Sequence, residues 1–225
     1  MEKSQETVIV EHILDAISDQ RLRAGTKLGE QALSDFFSCN RAHVRRALAT
    51  LSAYQVVDQI PNRGAFVATP TPEEARDIFQ ARRAIETTIC RNAVRRASEA
   101  DIARLRSHLD RESAAQAGQT RPEAIRLSRD FHVLLAEIAG NQVLQRYLEE
   151  LTMRSSLIIG LYGSGGTLCA EDEHARITDA IAAGDEAEAL HQIDHHLRHI
   201  EQGIAFSETR PQTGILSSIL GNPDG

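Results

Sequence analysis

The chain has 225 residues, 25 Lys and Arg against 32 Asp and Glu, a formal net charge of -7 and 41% hydrophobic residues. That length and apolar content support one large or two small folded domains and exclude wholesale disorder, while 4% aromatic residues and no Trp disfavour an aromatic-rich β-sandwich. Cys39, Cys90 and Cys169 frame neither a disulfide scaffold nor a C-x-x-C zinc ribbon, and neither a leader pattern nor a bilayer-length apolar run is present, so a cytoplasmic protein without a membrane partner is expected.

Charge is unevenly spread. Residues 1–70 hold eight basic and eight acidic side chains, which places the whole excess of acid beyond residue 70. Within the neutral part, the stretch from Phe36 to Val57 carries Arg41, Arg45 and Arg46 and no acid, a local basic window that raises nucleic-acid binding. Ile9, Ile13, Ala16 and Ile17 are spaced as one face of a helix that ends before the Ala24-Gly25 turn. A short helix follows from about Glu30 to Phe37. Asn40 then caps a third helix whose Val44, Ala47, Leu48 and Leu51 form an apolar stripe, with Arg45 and Arg46 facing away from it. Val56 to Ile60 and Gly64 to Val67 read as strands joined by a Pro61-Asn62-Arg63-Gly64 turn. The order predicts a winged helix-turn-helix over residues 1–70, its third helix suited to a major groove and its hairpin tip offering Arg63 to the backbone or minor groove.

The run from Ile17 to Val67, including Arg23-Ala24-Gly25-Thr26-Lys27-Leu28, Asn40 to Leu48 and Asn62 to Val67, resembles the GntR-family DNA-binding domain. That resemblance implies that Gln31, Asn40, Arg41, His43, Arg45 and the pair Arg63-Gly64 occupy DNA-contacting positions, and the exposed Arg46 is counted with them. In the family the third helix usually begins Ser-Arg-Thr-Pro-Val-Arg or Thr-Arg-Thr-Thr-Leu-Arg. Here Asn40, Ala42 and His43 depart from it, while Arg41 and Arg45 keep the arginines.

Thr69-Pro70-Thr71-Pro72 reads as a stiff linker and domain boundary. Thr71 as N-cap, Pro72 at N1 and Glu74 at N3 read as a capping box that starts a helix to about Ala97. Helical patterns continue over about Glu99 to Gln116, Arg121 to Ala139, Gln142 to Gly160, Glu171 to Ala183 and Ala187 to Ala205, predicting an antiparallel bundle over 71–206 and a loose tail over 207–225. The fold class is therefore mainly α: a winged helix-turn-helix followed by an α-helical bundle.

Two features of the bundle are chemically unusual. Arg82 falls inside the stripe of Ile78, Ile85 and Ile89, where it either pairs with Glu86, snorkels to the surface or points a guanidinium into a cavity to bind a small carboxylate. His132, His174 and His196 lie on the inward faces of three different helices, and three converging imidazoles make a metal site. His191, His195 and His199 also repeat at i, i+4, i+8, but share their face with Glu188, Asp194 and Arg198 and read as a solvated stripe.

Residues 73 to 205, with Arg82 to Glu86, Asp130-Phe131-His132 through Gly140-Asn141, Glu173 to Ile177 through Gly184-Asp185 and His196-Leu197, are similar to the FCD effector domain of FadR-type GntR regulators. The similarity implies that His132, His174 and His196 are metal ligands and that Arg82 belongs to the effector pocket. Metal-binding members place an Asp four residues before the first His, where this chain has Ser128. Asp130 cannot replace it, being about 200° away from His132 around the helix. Three imidazoles would then hold zinc or nickel, with water or effector oxygens completing the shell. The reading is a DNA-binding regulator, a homodimer and a repressor by family habit, in which an organic acid at Arg82, Ser128 and the histidines changes the affinity for operator DNA. It is not an enzyme in this reading. The alternatives are a metal-dependent hydrolase using the three histidines and a regulator that senses the metal itself.

Overall fold

The computed structural model describes residues 4–163, 172–206 and 216–221. Its chain separates into two compact units, one formed by the residues before Thr71 together with the described C-terminal residues, the other by residues 71–206.

In the first unit, α1 (Gln5–Ser18) is capped by the Ser4 hydroxyl, which accepts from the Thr7 N–H. After β1 (Lys27–Leu28) come α2 (Glu30–Phe36) and α3 (Arg41–Ala53). The Asn40 side chain accepts from the N–H groups of Ala42 and His43, satisfying two donors that the first turn of α3 would otherwise leave open. Ile9, Ile13, Leu33, Val44, Leu48 and Leu51 are buried between the three helices, which is the periodicity that the sequence displays. β2 (Val57–Ile60) and β3 (Gly64–Val67) pair antiparallel in the register Val57 to Val67 and Ile60 to Gly64. The hairpin expected from the turn residues is present. Asn62 and Gly64 take φ of 61° and 99°, the left-handed conformations such a turn requires. β1 joins the other edge of β3, giving the order β1-β3-β2. Sequence periodicity cannot reveal β1, because two residues carry no alternation. Within the segment expected to be a loose tail, Leu216–Leu220 form a short helix, α10, with Leu216 and Leu220 buried and the Leu220 carbonyl accepting from His12 and Arg21. The rest of that segment, like Cys169, lies outside the described residues apart from Gly221.

The second unit is an antiparallel bundle of α4 (Pro72–Arg96), α5 (Glu99–Ala117), α6 (Arg121–Ala139), α7 (Gln142–Tyr162), α8 (Glu173–Ala182) and α9 (Glu186–Gln202). α4 runs through its centre against α6, α7 and α9, and its start follows the chemistry of Thr71, whose hydroxyl accepts from the Glu74 N–H. The Glu74 carboxylate does not close a capping box. It pairs with Arg154, a half-buried residue of α7. A complete capping box, Ser98 with Asp101, starts α5 instead. Ile89, Leu105, Phe131, Leu135, Ile177, Ile193 and Leu197 form the main core, and a smaller cluster of Phe79, Ile125, Ile159 and Ile200 packs elsewhere in the same unit.

Gly140 ends α6 with φ 71°, and a Cβ there would approach the Arg96 guanidinium to 2.8 Å. Gly140→Ala should lower unfolding stability by about 1–2 kcal/mol in urea titrations, the usual cost of a left-handed L-residue. Most of that loss should persist in an Arg96→Ala background, since the φ angle and not the flexible guanidinium causes it.

Candidate functional site

The first unit presents a groove of about 720 Å³ lined by Gln31 from α2, Arg41 and Arg45 from α3, and Arg63 and Gly64 from the hairpin tip. Arg41 and Arg45 both reach Glu30, at 2.9 and 2.8 Å, and their hydrogen bonds hold the Glu30 carboxyl below its usual pKa. Gln31 donates to Asp35. Arg63 and Lys27 lie over the Phe66 ring, 5.7 and 5.9 Å from its centroid, so the wing tip carries two cations on one aromatic base. Three other residues assigned to DNA contact have different immediate partners. Asn40 is engaged as the N-cap of α3, while Arg46 and His43 pair with Glu6 of α1, and neither lines the groove.

In the bundle, His132, His174 and His196 are all buried and their ligand nitrogens lie within 4.8 Å of one another. His196 Nε2 stands 3.2 Å from both His132 Nε2 and His174 Nε2. The opposite nitrogen of each ring faces a carboxylate. His132 Nδ1 is 2.5 Å from Glu86 Oε2, His174 Nδ1 is 2.8 Å from Glu112 Oε2, and His196 Nδ1 is 2.8 Å from Glu173 Oε2. The Nε2 atoms stand at hydrogen-bond distance from one another, and in the tautomer that carries the proton on each Nδ1 they would present three converging lone pairs, which a cation satisfies. The nitrogens of two imidazoles on a tetrahedral zinc are about 3.4 Å apart, close to the spacing here. With imidazoles neutral, three ionised glutamates and the Arg82 guanidinium leave a buried charge of -2, the complement of a divalent ion. The donor set therefore fits zinc or nickel, and carboxylates behind the imidazoles are the usual means of orienting such ligands.

Arg82 does what its place in the stripe demanded. It is buried, its Nε donates to Glu86 Oε1 at 2.7 Å, and its Nη1 donates to Ser155 Oγ at 3.0 Å. Nη2 is buried without a partner. Arg82, Ser128 and His132 line one small cavity of about 20 Å³, room for about one water molecule, with Ile125, Ile159 and Ile200 as apolar wall. Ser128 is half-buried at that edge and supplies no carboxylate. Asp130 is committed to Arg129 at 2.7 Å.

Sequence reasoning recognised Glu86 only as a partner for Arg82 and gave Glu173 no role of its own. Glu112 was missed, together with His108, whose Nε2 lies 2.8 Å from the Leu127 carbonyl. A signal existed: Leu105, His108, Glu112 and Ala115 form one inward stripe of α5. His191, His195 and His199 run along the outer side of α9 with ring centroids 6.4 and 6.5 Å apart, and His199 reaches Glu173 at 2.7 Å.

Burial drives the His132 pKa from its usual 6.5 to about 3, although Glu86 opposes the shift. Burial also works to raise Glu86 and Glu112, but Arg82 and His132 outweigh it at the first and His174 and His108 at the second, holding both at about 2. Between pH 6.5 and 3 the unfolded chain binds a proton at His132 that the folded chain refuses, so stability falls on acidification. The glutamates add the same sign between 4.5 and 2. In the presence of a chelator, the melting temperature of the bundle should fall as pH drops below 6.5, and His132→Asn should flatten that limb in calorimetric scans.

Two family models match the chain: "Bacterial regulatory proteins, gntR family" over residues 5–67 and "FCD domain" over residues 77–199. The HTH-type transcriptional regulator LutR of Bacillus subtilis is 26% identical over 82% of this chain and 94% of its own length. The Nta operon transcriptional regulator of Aminobacter aminovorans is 25% identical over 80% of this chain and 85% of its own. Among solved structures, E. coli McbR/YncC superposes with a TM-score of 0.74 at 17% identity, covering 88% of this chain and 95% of that one. A GntR-type structure from Rhodococcus sp. RHA1 gives 0.73 at 24% identity, covering 89% and 97%. The winged first unit and the helical bundle thus each correspond to one of the two matched models, and the chain belongs to the GntR family of helix-turn-helix regulators that carry an FCD domain.

Proposed function

We propose that the protein is a ligand-responsive repressor of the FadR type, in which residues 1–70 read an operator and residues 71–206 bind a small organic acid and join two chains into a homodimer. One observation carries the ligand reading: the partnerless Nη2 of buried Arg82 lines the same cavity as His132, beside three converging imidazole nitrogens. A carboxylate is the group that completes such a guanidinium, in charge-assisted and bidentate geometry. Zinc or nickel held by His132, His174 and His196 would supply positive charge to anchor that acid. Ser128, in place of an aspartate, would leave a coordination position for water or an effector oxygen. Glu86, Glu112 and Glu173 sit behind the imidazoles, where a carboxylate orients a ligand and does not activate a water, which favours a sensor over a hydrolase.

The DNA-reading face in this proposal is the groove of Gln31, Arg41, Arg45, Arg63 and Gly64, with Asn40, His43 and Arg46 at its flank. Glu30 occupies, between Arg41 and Arg45, the place of a phosphate, and DNA would displace it. Two-fold pairing matches the palindromic sites that helix-turn-helix dimers read.

On a duplex selected by the wild-type protein from a random pool, Arg45→Ala and Arg63→Ala should weaken binding in fluorescence anisotropy and each reduce the salt slope by about 1. Unchanged affinity in both variants would remove the groove from the reading. In a thermal-shift screen of small carboxylates, at least one should stabilise wild type and lose its effect in Arg82→Ala and in His174→Ala. If no carboxylate stabilises the wild type with zinc or nickel added, the organic-acid reading fails while the DNA-binding assignment stands.

A further inference from the structure

A single carboxylate serves both halves of the buried site. Glu86 lies one turn beyond Arg82 on α4, and its Oε1 accepts from Arg82 Nε at 2.7 Å while its Oε2 stands 2.5 Å from His132 Nδ1. The other two carboxylates behind the cluster are engaged differently, Glu112 by His174 and His108, and Glu173 by His196 and His199. All the groups around Glu86 are at most 3% exposed, so water screens their interactions little.

Positive charge placed at His132 Nε2 withdraws electron density from the ring and makes its Nδ1 edge more attractive to Glu86 Oε2, which is in contact with it but not in hydrogen-bond geometry. The Glu86 charge is drawn toward Oε2, Arg82 is less neutralised, and its open Nη2 becomes a better anion site. In the other direction, an anion on Arg82 weakens the guanidinium's hold on Glu86. The carboxylate then holds the Nδ1 edge more firmly and raises the donor strength of Nε2. We propose that Glu86 is a positioning residue that couples the two sites, so that a divalent cation at the histidine cluster and a carboxylate at Arg82 bind with positive cooperativity through it. This inference rests on the metal and organic-acid reading given above. Linkage makes the effect reciprocal: whatever factor the acid adds to cation affinity, the cation adds to acid affinity.

The test measures zinc affinity of the full chain by competition with a chromophoric chelator, with and without acetate, at constant ionic strength and with free zinc corrected for acetate complexation. In wild type, acetate should tighten zinc binding by about 5-fold or more, the lower end of ordinary coupling. Glu86→Gln should still bind zinc, with the acetate effect cut to the part that direct attraction between cation and anion leaves. Glu112→Gln, which touches the cluster through His174 and not through Arg82, should weaken zinc by about 10-fold or more and keep the acetate effect. A merely structural role for Glu86 would not separate these two variants. If circular dichroism shows that Glu86→Gln does not fold, Glu86→Asp makes the same comparison, since it keeps the charge and shortens the reach. An acetate effect of undiminished size in the Glu86 variant, or none in a wild type that binds both probes, overturns the coupling and leaves the metal and acid reading standing. A wild type that binds neither zinc nor acetate overturns both together.

Discussion

The bundle is organised by the need to compensate ionised groups that it holds out of water. Each charge buried alone costs several kcal/mol, and the cost is recovered only where partners and hydrogen bonds surround it. Arg82, Glu86 and His132 meet that need as a chain, with Glu86 bonded on one side to the guanidinium and close on the other to the imidazole. Glu112 with His174, and Glu173 with His196, repeat the imidazole half of the motif. Hydrophobic residues of similar volume would pack there at lower cost, so the network points to a function and not to stability alone.

The same groups come from every helix of the unit. α4 gives Arg82 and Glu86, α5 gives Glu112, α6 gives His132, α7 gives Ser155, α8 gives Glu173 and His174, and α9 gives His196. A site assembled from six helices reports on the packing of all six. Any ligand that draws the imidazoles together, or moves Arg82 off Ser155, biases the arrangement of the whole bundle, which is the physical content of allostery in a helical sensor.

How much of this was legible in the sequence depends on whether the signal was local. Caps and periodicity are local, and Asn40 and Thr71 mark helix starts that the structure reproduces. Inward histidines are legible too, because an imidazole on an apolar stripe stands out against its neighbours. The carboxylates behind them are not. Glu112 is 62 positions from His174, and nothing in either stretch of sequence states that α5 and α8 meet. Glu173 was illegible for a related reason: its sequence neighbour is His174, yet the ring it supports belongs to α9, not to its own helix. The short strand β1 was invisible because its two residues acquire strand geometry only from pairing with β3.

The size of the cavity sets the final constraint. About 20 Å³ holds one water, so a carboxylate cannot enter the site as it stands. One wall is fixed, because Ile125, Ile159 and Ile200 belong to a packed apolar cluster with Phe79. On the other side Arg82 Nη1 donates across to Ser155 Oγ on α7, inside the cavity lining. An arriving carboxylate offers the guanidinium a charged acceptor in place of that neutral hydroxyl, a stronger bond by roughly twofold. In the proposed reading the exchange of Ser155 for ligand is therefore both what opens the pocket and what loosens α7 from α4. Binding and conformational change are then one step, driven by the same guanidinium that the buried carboxylate of Glu86 keeps in place.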